Sequence, residues 1–153
     1  MKKIFLAITV LMMVFPVFAA TVSSSIPMSV EIAKQCTFSN VTSEIILQED
    51  GSDTTAGYTV TCNTPYSIFT DNAKWYGGWY SYISNTQNEQ LKTGVGTRAV
   101  YDNAQVTLHA GIPLARSGYS IDDYEVSIHV STPITATTRA GVYTDTYLIT
   151  VDY

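Results

Sequence analysis

Charged residues and helical patterns are both scarce in this chain of 153 residues. Asp, Glu, Lys and Arg make up only 14% of the chain, whereas 46% is hydrophobic and 12% is aromatic. Such a composition argues against an intrinsically disordered chain and against a coiled coil. A net charge of −5 argues against a nucleic-acid-binding protein that relies on a basic surface. No stretch of twelve residues has a helical period of apolar side chains.

Residues that carry chemistry are few as well. The chain has two histidines, His109 and His129, and both fall on the polar phase of alternating segments, where we expect exposed side chains on strand faces. The pair Asp122-Asp123 is expected in a solvated turn, not as a general acid and base. The sequence contains no nucleophile elbow, no zinc-protease motif and no phosphate-binding glycine loop. We therefore predict that the protein is not an enzyme and needs no cofactor or metal.

One long apolar run is present, and it lies at the start of the chain. Lys2 and Lys3 precede an apolar stretch over residues 4–18, and small residues in Val17-Phe18-Ala19 suit a cleavage site. The alternative is a membrane anchor, but a run of about fifteen residues is shorter than the roughly 20 that span a bilayer. We predict a signal peptide over residues 1–19 and export of the rest. The mature chain keeps six basic and 13 acidic side chains, and its charge of −7 implies no nucleic-acid partner and no membrane partner.

Only two cysteines, Cys36 and Cys62, are present. In an oxidising compartment an even pair predicts one disulfide. Two thiols and two distant histidines do not make a zinc site, so metal binding is a poor alternative.

Most readable segments alternate between apolar and polar residues with a period of two. This pattern, rich in β-branched and aromatic residues, is typical of half-buried antiparallel strands. It covers residues 26–32, 58–62, 106–108, 124–130 and 147–153. Turn signals rich in Gly, Pro, Asn and Asp separate these segments, for example at residues 49–53, 63–65, 77–78, 116–118 and 139–141. Short strands at this spacing, together with a disulfide, predict a single all-β domain with a β-sandwich fold.

An aromatic cluster interrupts the middle of the chain. It surrounds Gly77-Gly78 and consists of Trp75, Tyr76, Trp79, Tyr80 and Tyr82. One interpretation is a surface for stacking sugars, which would make the protein a secreted carbohydrate- or surface-binding module that uses Trp75, Tyr76, Trp79 and Tyr80. The interpretation that we favour is a hairpin whose rings pair across strands and cover the edge of the core.

Four segments resemble the spore coat protein U domain, the fold of archaic (Csu-type) chaperone–usher pilus subunits. The first is the alternating strand of residues 26–32 followed by Cys36-Thr37, and the second is Tyr58-Thr59-Val60-Thr61-Cys62 with residues 64–68. The third is residues 106–113. The fourth is the closing signature over residues 140–153, where a Gly-x-Tyr-x-Asp-Thr sequence leads into a strand. The residues that the resemblance assigns to this closing strand are Tyr143, Asp145, Tyr147, Ile149, Val151 and Tyr153.

The resemblance implies an immunoglobulin-like sandwich that lacks one strand. In this family the N-terminal extension of one subunit fills the groove of its neighbour, so that subunits form a head-to-tail fibre. Residues 20–34 would be the donor extension and residues 35–153 the pilin domain. The donor side chains at two-residue spacing would be Ile26, Met28, Val30 and Ile32. The implied partners are identical or related subunits, a periplasmic chaperone and an outer-membrane usher. The implied location is an extracellular pilus that supports adhesion and biofilm formation.

Pro27 limits how the donor segment could pair. Proline has no N–H to donate to a β-ladder, so either the fully paired part begins at Met28 or Pro27 lies at a gap in the ladder. Residues 26–32 have an alternative interpretation as the first strand of a self-contained sandwich. A secreted hydrolase is a further alternative, and it lacks a catalytic set.

Overall fold

The computed structural model describes residues 21–109 and 111–153. The predicted signal peptide and its cleavage site lie outside the described residues. Residues 32–153 form one compact unit, and the described residues 21–31 belong to a separate unit. No helix in the described residues is long and apolar enough to cross a membrane.

The compact unit consists of two antiparallel sheets. The larger, seven-stranded sheet has the order β1-β2-β9-β6-β5-β4, and β7 also pairs with β6. Its strands are β1 (Cys36–Ser39), β2 (Thr54–Cys62), β4 (Trp75–Gly77), β5 (Tyr80–Ser84), β6 (Gln90–Ala99), β7 (Gln105–Val106) and β9 (Ser120–Val130). The smaller sheet has the order β10-β3-β8, with strands β3 (Tyr66–Asn72), β8 (Leu114–Arg116) and β10 (Tyr147–Asp152). The predicted all-β sandwich is confirmed.

The core lies between the inner faces of the two sheets, as the period-two alternation requires. In β9, Tyr124, Val126, Ile128 and Val130 are buried, while the residues between them are at least partly exposed. The facing side chains of the small sheet include Ile68, which is fully buried, and the half-buried Tyr147, Ile149 and Val151. The predicted disulfide is also confirmed. Cys36 and Cys62 lie directly opposite each other on β1 and β2 and are bonded.

The prediction for Asp122 and Asp123 was wrong, because both lie within β9 and not in a turn. The Asp122 carboxylate accepts a hydrogen bond of 2.5 Å from the Tyr66 hydroxyl, which also lies 2.8 Å from the hydroxyl of Tyr124. Burial, together with the hydrogen bond to Asp122, raises the pKa of Tyr66. These contacts tie the two sheets together, and they explain why the acidic Asp122 is accommodated within a strand.

Asp102 extends this polar network through Arg116. The Arg116 guanidinium donates to Asp102 at 2.7 Å and lies 3.7 Å from Asp122. The bond from Arg116, and then the backbone N–H of Ala104, hold the pKa of Asp102 below its ordinary value.

We predict that Asp102→Asn lowers stability at neutral pH and that the loss fades in acid. A carboxyl whose folded pKa is depressed stabilises the fold above its unfolded pKa of about 3.9, and that contribution disappears as pH falls through the folded pKa. Denaturant unfolding of both chains from pH 7 to pH 2 measures the difference. A difference in unfolding free energy that stays constant below pH 4 would contradict the assignment.

Candidate functional site

A long groove opens between the two sheets, with a volume of about 930 Å³. Its floor is the inner face of the large sheet and is apolar over most of its length. The floor residues are Ala56, Tyr58, Leu91, Val95, Val126, Ile128 and Val130. All of these side chains except the half-buried Ala56 are buried, so the groove reaches into the core between the two sheets.

The strand β10 forms one border of the groove through Tyr147 and Ile149. It pairs with β3 along one edge, from Tyr147 opposite Asn72 to Asp152 opposite Ser67. Among the described residues no strand pairs with its other edge. That edge presents unpaired backbone N–H and C=O groups, which can accept a further strand.

The segment 41–49 lines the groove as well and has a strand-like alternation without being a strand. Ile45 and Leu47 are half-buried against the core, and Ile46 between them is exposed. Thr42 anchors the segment: its backbone N–H donates to the Gly57 carbonyl at 3.0 Å, and the N–H of Gly57 donates to its hydroxyl at 3.0 Å. Sequence reasoning missed this segment, although the alternation over 45–47 was a signal that could have shown it.

Buried polar atoms without partners also line the groove. The Tyr58 hydroxyl, Asn72 Oδ1 and Asp145 Oδ1 accept or donate no hydrogen bond within the described part of the chain. The other oxygen of Asp145 accepts from Ser81 Oγ at 3.1 Å and from Asn72 Nδ2 at 3.3 Å. Burial raises the pKa of Tyr58, so its hydroxyl stays protonated. Buried polar groups normally have hydrogen-bond partners, and these three atoms without partners all belong to residues that line the groove.

The segment predicted as donor strand is not a strand in the described chain. Ile26, Met28, Val30 and Ile32 are all at least 77% exposed, and residues 21–35 contain no helix or strand. Asn63 holds the base of the segment: its Oδ1 accepts from the Gln35 N–H at 2.7 Å, and its Nδ2 donates to the Ala33 carbonyl at 2.8 Å. The sequence suggested only a turn at Asn63.

The closing strand is shorter than the sequence predicted. β10 begins at Tyr147, so Tyr143 and Asp145 precede it, and Tyr153 follows its last residue. The Tyr143 hydroxyl donates to the Arg139 carbonyl at 2.8 Å. Thr144 forms a two-hydrogen-bond bridge with Ser84, which ties this part of the chain to the large sheet.

The aromatic cluster forms a hairpin around Gly77-Gly78, as the favoured interpretation predicted. Its rings do not form one surface, because they contact different parts of the molecule. Tyr76 and Tyr82 pair across the strands with ring centroids 4.9 Å apart. Trp75 stacks on His109 at 4.1 Å. Trp79 and Tyr80 border a hollow on the outer face of the large sheet.

The two histidines occupy different kinds of backbone position. His129 lies on the outer face of β9 as predicted, with Nδ1 2.9 Å from the Asp53 carboxylate. The prediction for His109 was wrong, because it is not in a strand. It follows the bridge residue Leu108 with a positive φ of 68° and lies 3.4 Å from Asp71.

Comparison with known proteins finds no protein-family model and no curated protein that matches the chain. A solved structure does match: a chain of the CsuC–CsuE chaperone–tip adhesion subunit pre-assembly complex from archaic chaperone–usher Csu pili of Acinetobacter baumannii. The TM-score is 0.51 and the sequence identity is 15%. The match covers 80% of this chain and 40% of that chain, so this chain spans less than half its length. The fold is therefore similar to that of a component of a chaperone–usher pilus complex.

Proposed function

We propose that this protein is a structural subunit of a surface pilus and polymerises by donor-strand complementation. The observation that carries the proposal is the apolar groove beside the free edge of β10. A strand laid between β10 and the segment 41–49 would extend the small sheet to four strands and pack over the apolar floor of the groove.

The segment 26–32 suits this groove in length and pattern. Seven residues in extended conformation span about 20 Å, and the six residues of β10 span about 17 Å, at 3.3–3.4 Å per residue. Side chains at two-residue spacing all face one side of a strand, so Ile26, Met28, Val30 and Ile32 would enter the groove together. Burying four such side chains is worth on the order of 6–12 kcal/mol before ordering costs.

In the cell, other proteins would assist assembly, because an open groove with an unpaired edge promotes aggregation. We extend the proposal to a periplasmic chaperone that covers the groove and an outer-membrane usher that exchanges it for the donor segment. The similarity to a chain from a chaperone–subunit complex supports the first of these partners. The assembled pilus would lie outside the cell and contribute to adhesion and biofilm formation. The role that we propose is structural and not catalytic.

The polymer itself tests the proposal. The full chain, exported so that Cys36 and Cys62 oxidise, is concentrated and run unboiled in SDS gels, and it should give a ladder of multimers. Val30→Asp places a charge on the groove side of the donor segment and should abolish the ladder. Ser29→Asp is the matched control, because it adds the same charge on the opposite side of the strand. A monomeric wild-type protein, or a ladder that survives Val30→Asp, would refute donor-strand assembly.

A further inference from the structure

The outer face of the large sheet contains a hollow of about 610 Å³, away from the core. Two glycines, Gly94 and Gly96, occupy successive outward positions of the central strand β6. The ring of His129 covers Gly94, where an added Cβ would come within 2.5 Å of that ring. Gly96 is exposed, and a Cβ there would meet nothing within 4 Å. A glycine within a strand weakens it, and such a glycine often marks a place where a ligand approaches the backbone.

Aromatic rings form one wall of this hollow. Trp79 and Tyr80 contribute rings that are 39% and 40% exposed. The Lys92 ammonium lies 3.6 Å from the centroid of the Tyr80 ring, a cation–π contact that holds the ring in place. The backbone carbonyl of Trp79 accepts a hydrogen bond of 2.8 Å from Val95, which fixes the base of the wall on β6.

Polar groups form the opposite side. Asp53 Oδ1 accepts from Ser127 Oγ at 3.1 Å and lies 2.9 Å from Nδ1 of His129. Within the described chain no residue donates to the second oxygen, Oδ2, of Asp53, which leaves it available as an acceptor. At the end of the hollow, Arg98 donates to Glu125 at 2.6 Å, and the side chain of Gln105 borders the same end. Hydrogen-bond donors and acceptors therefore lie opposite the aromatic wall, with the exposed Gly96 between them.

We propose that this hollow binds a neutral sugar in its pyranose form. The apolar C–H face of a pyranose can stack on an aromatic ring, while its hydroxyls both donate and accept hydrogen bonds. The hollow combines these features, and its volume lies in the range of small-molecule sites. The Asp53 carboxylate disfavours an acidic sugar, because like charges repel, whereas the charge of Glu125 is balanced by Arg98.

The site is independent of polymerisation, since it lies on the outer face of the sheet and the groove is on the inner face. Within the proposed fibre, each subunit would still present it. Of the four rings that the sequence suggested for sugar binding, only Trp79 and Tyr80 border the hollow, whereas Trp75 and Tyr76 do not.

Calorimetric titration of the full chain with methyl pyranosides of glucose, galactose, mannose and N-acetylglucosamine tests the proposal. At least one should bind with a millimolar Kd, and methyl glucuronide should bind at least about tenfold more weakly. Gly96→Val fills the hollow with a residue that strands favour, so it should abolish binding without lowering the melting temperature. Gly111→Val is the matched control, because a Cβ there also meets nothing within 4 Å and Gly111 lies outside the hollow.

The two tryptophans provide a second matched pair on one hairpin. Trp79→Ala should weaken binding by about tenfold through loss of the stacking ring, and Trp75→Ala should leave it unchanged. In a Trp75→Phe chain, sugar should change the fluorescence of the single remaining tryptophan. The proposal fails if no neutral pyranoside binds up to about 10 mM, if Gly96→Val binds as well as Gly111→Val, or if both alanine variants lose binding equally.

Discussion

A synthetic peptide of residues 21–34 should raise the melting temperature of a chain that begins at Gln35 by roughly 10 °C. A ligand that binds only the folded state contributes about 2.7 kcal/mol when its concentration is a hundred times its Kd. For a domain of about 120 residues this corresponds to the expected shift. The physical reason is that the peptide covers the apolar groove floor and pairs with the free edge of β10. Thermal melts followed by circular dichroism, with and without peptide, measure the effect.

Substitutions in the peptide locate the contacts. A peptide carrying Met28→Asp and Val30→Asp should give no shift, because two charges would enter an apolar groove without partners. A peptide carrying Ser29→Asp alone should keep most of the shift, since residue 29 faces away from the groove. If the shortened chain is unstable by itself, refolding in the presence of each peptide gives the same ranking. A shortened chain that is stable and ignores the peptide would show a self-contained fold.

Removal of the disulfide should have the second largest effect. The bond between Cys36 and Cys62 closes a loop with a sequence separation of 26. In the chain-entropy model this is worth about 3.5 kcal/mol, mainly because the open chain gains freedom when unfolded. We expect the double variant Cys36→Ser and Cys62→Ser to melt roughly 10–15 °C lower than wild type. Differential scanning calorimetry at equal protein concentration measures the change.

The position of the disulfide adds a structural reason. It joins directly opposite residues of β1 and β2, next to Asn63, which holds the base of the N-terminal segment. Adding a reductant to wild type should reproduce the loss and should leave the double variant unaffected. A loss below about 1 kcal/mol would show that β1 is held by its β-ladder alone.

Local patterns were sufficient for much of the fold. The alternation over residues 124–130 predicted both the strand and its buried face, because side chains in a strand point to opposite sides in turn. The disulfide followed from two cysteines in a chain that the sequence predicts to be exported. The hairpin followed from Gly77-Gly78 between aromatic residues. In each case the information lies within a few neighbouring residues.

The sequence-based predictions were wrong where contacts between residues distant in sequence determine the local structure. The sequence predicted a turn at Asp122 and Asp123. No neighbouring residue indicates that Tyr66 would donate a hydrogen bond to Asp122 within a strand, or that Arg116 would lie close to its carboxylate. His109 read as a strand residue, but its backbone turns where Leu108 meets Thr70 in a parallel bridge. The start of β10 depends on the bridge between Ser84 and Thr144.

The sequence by itself determined an all-β chain with one disulfide and an alternating apolar segment near its start, because composition and a period of two are local properties. The tertiary structure decided where the groove and the hollow form. The groove exists because β10 has one unpaired edge above an apolar floor, and the hollow exists because Gly94 and Gly96 lie between Trp79 and His129. Both features depend on which strands become neighbours, and that order is set by long-range pairing which no single segment specifies.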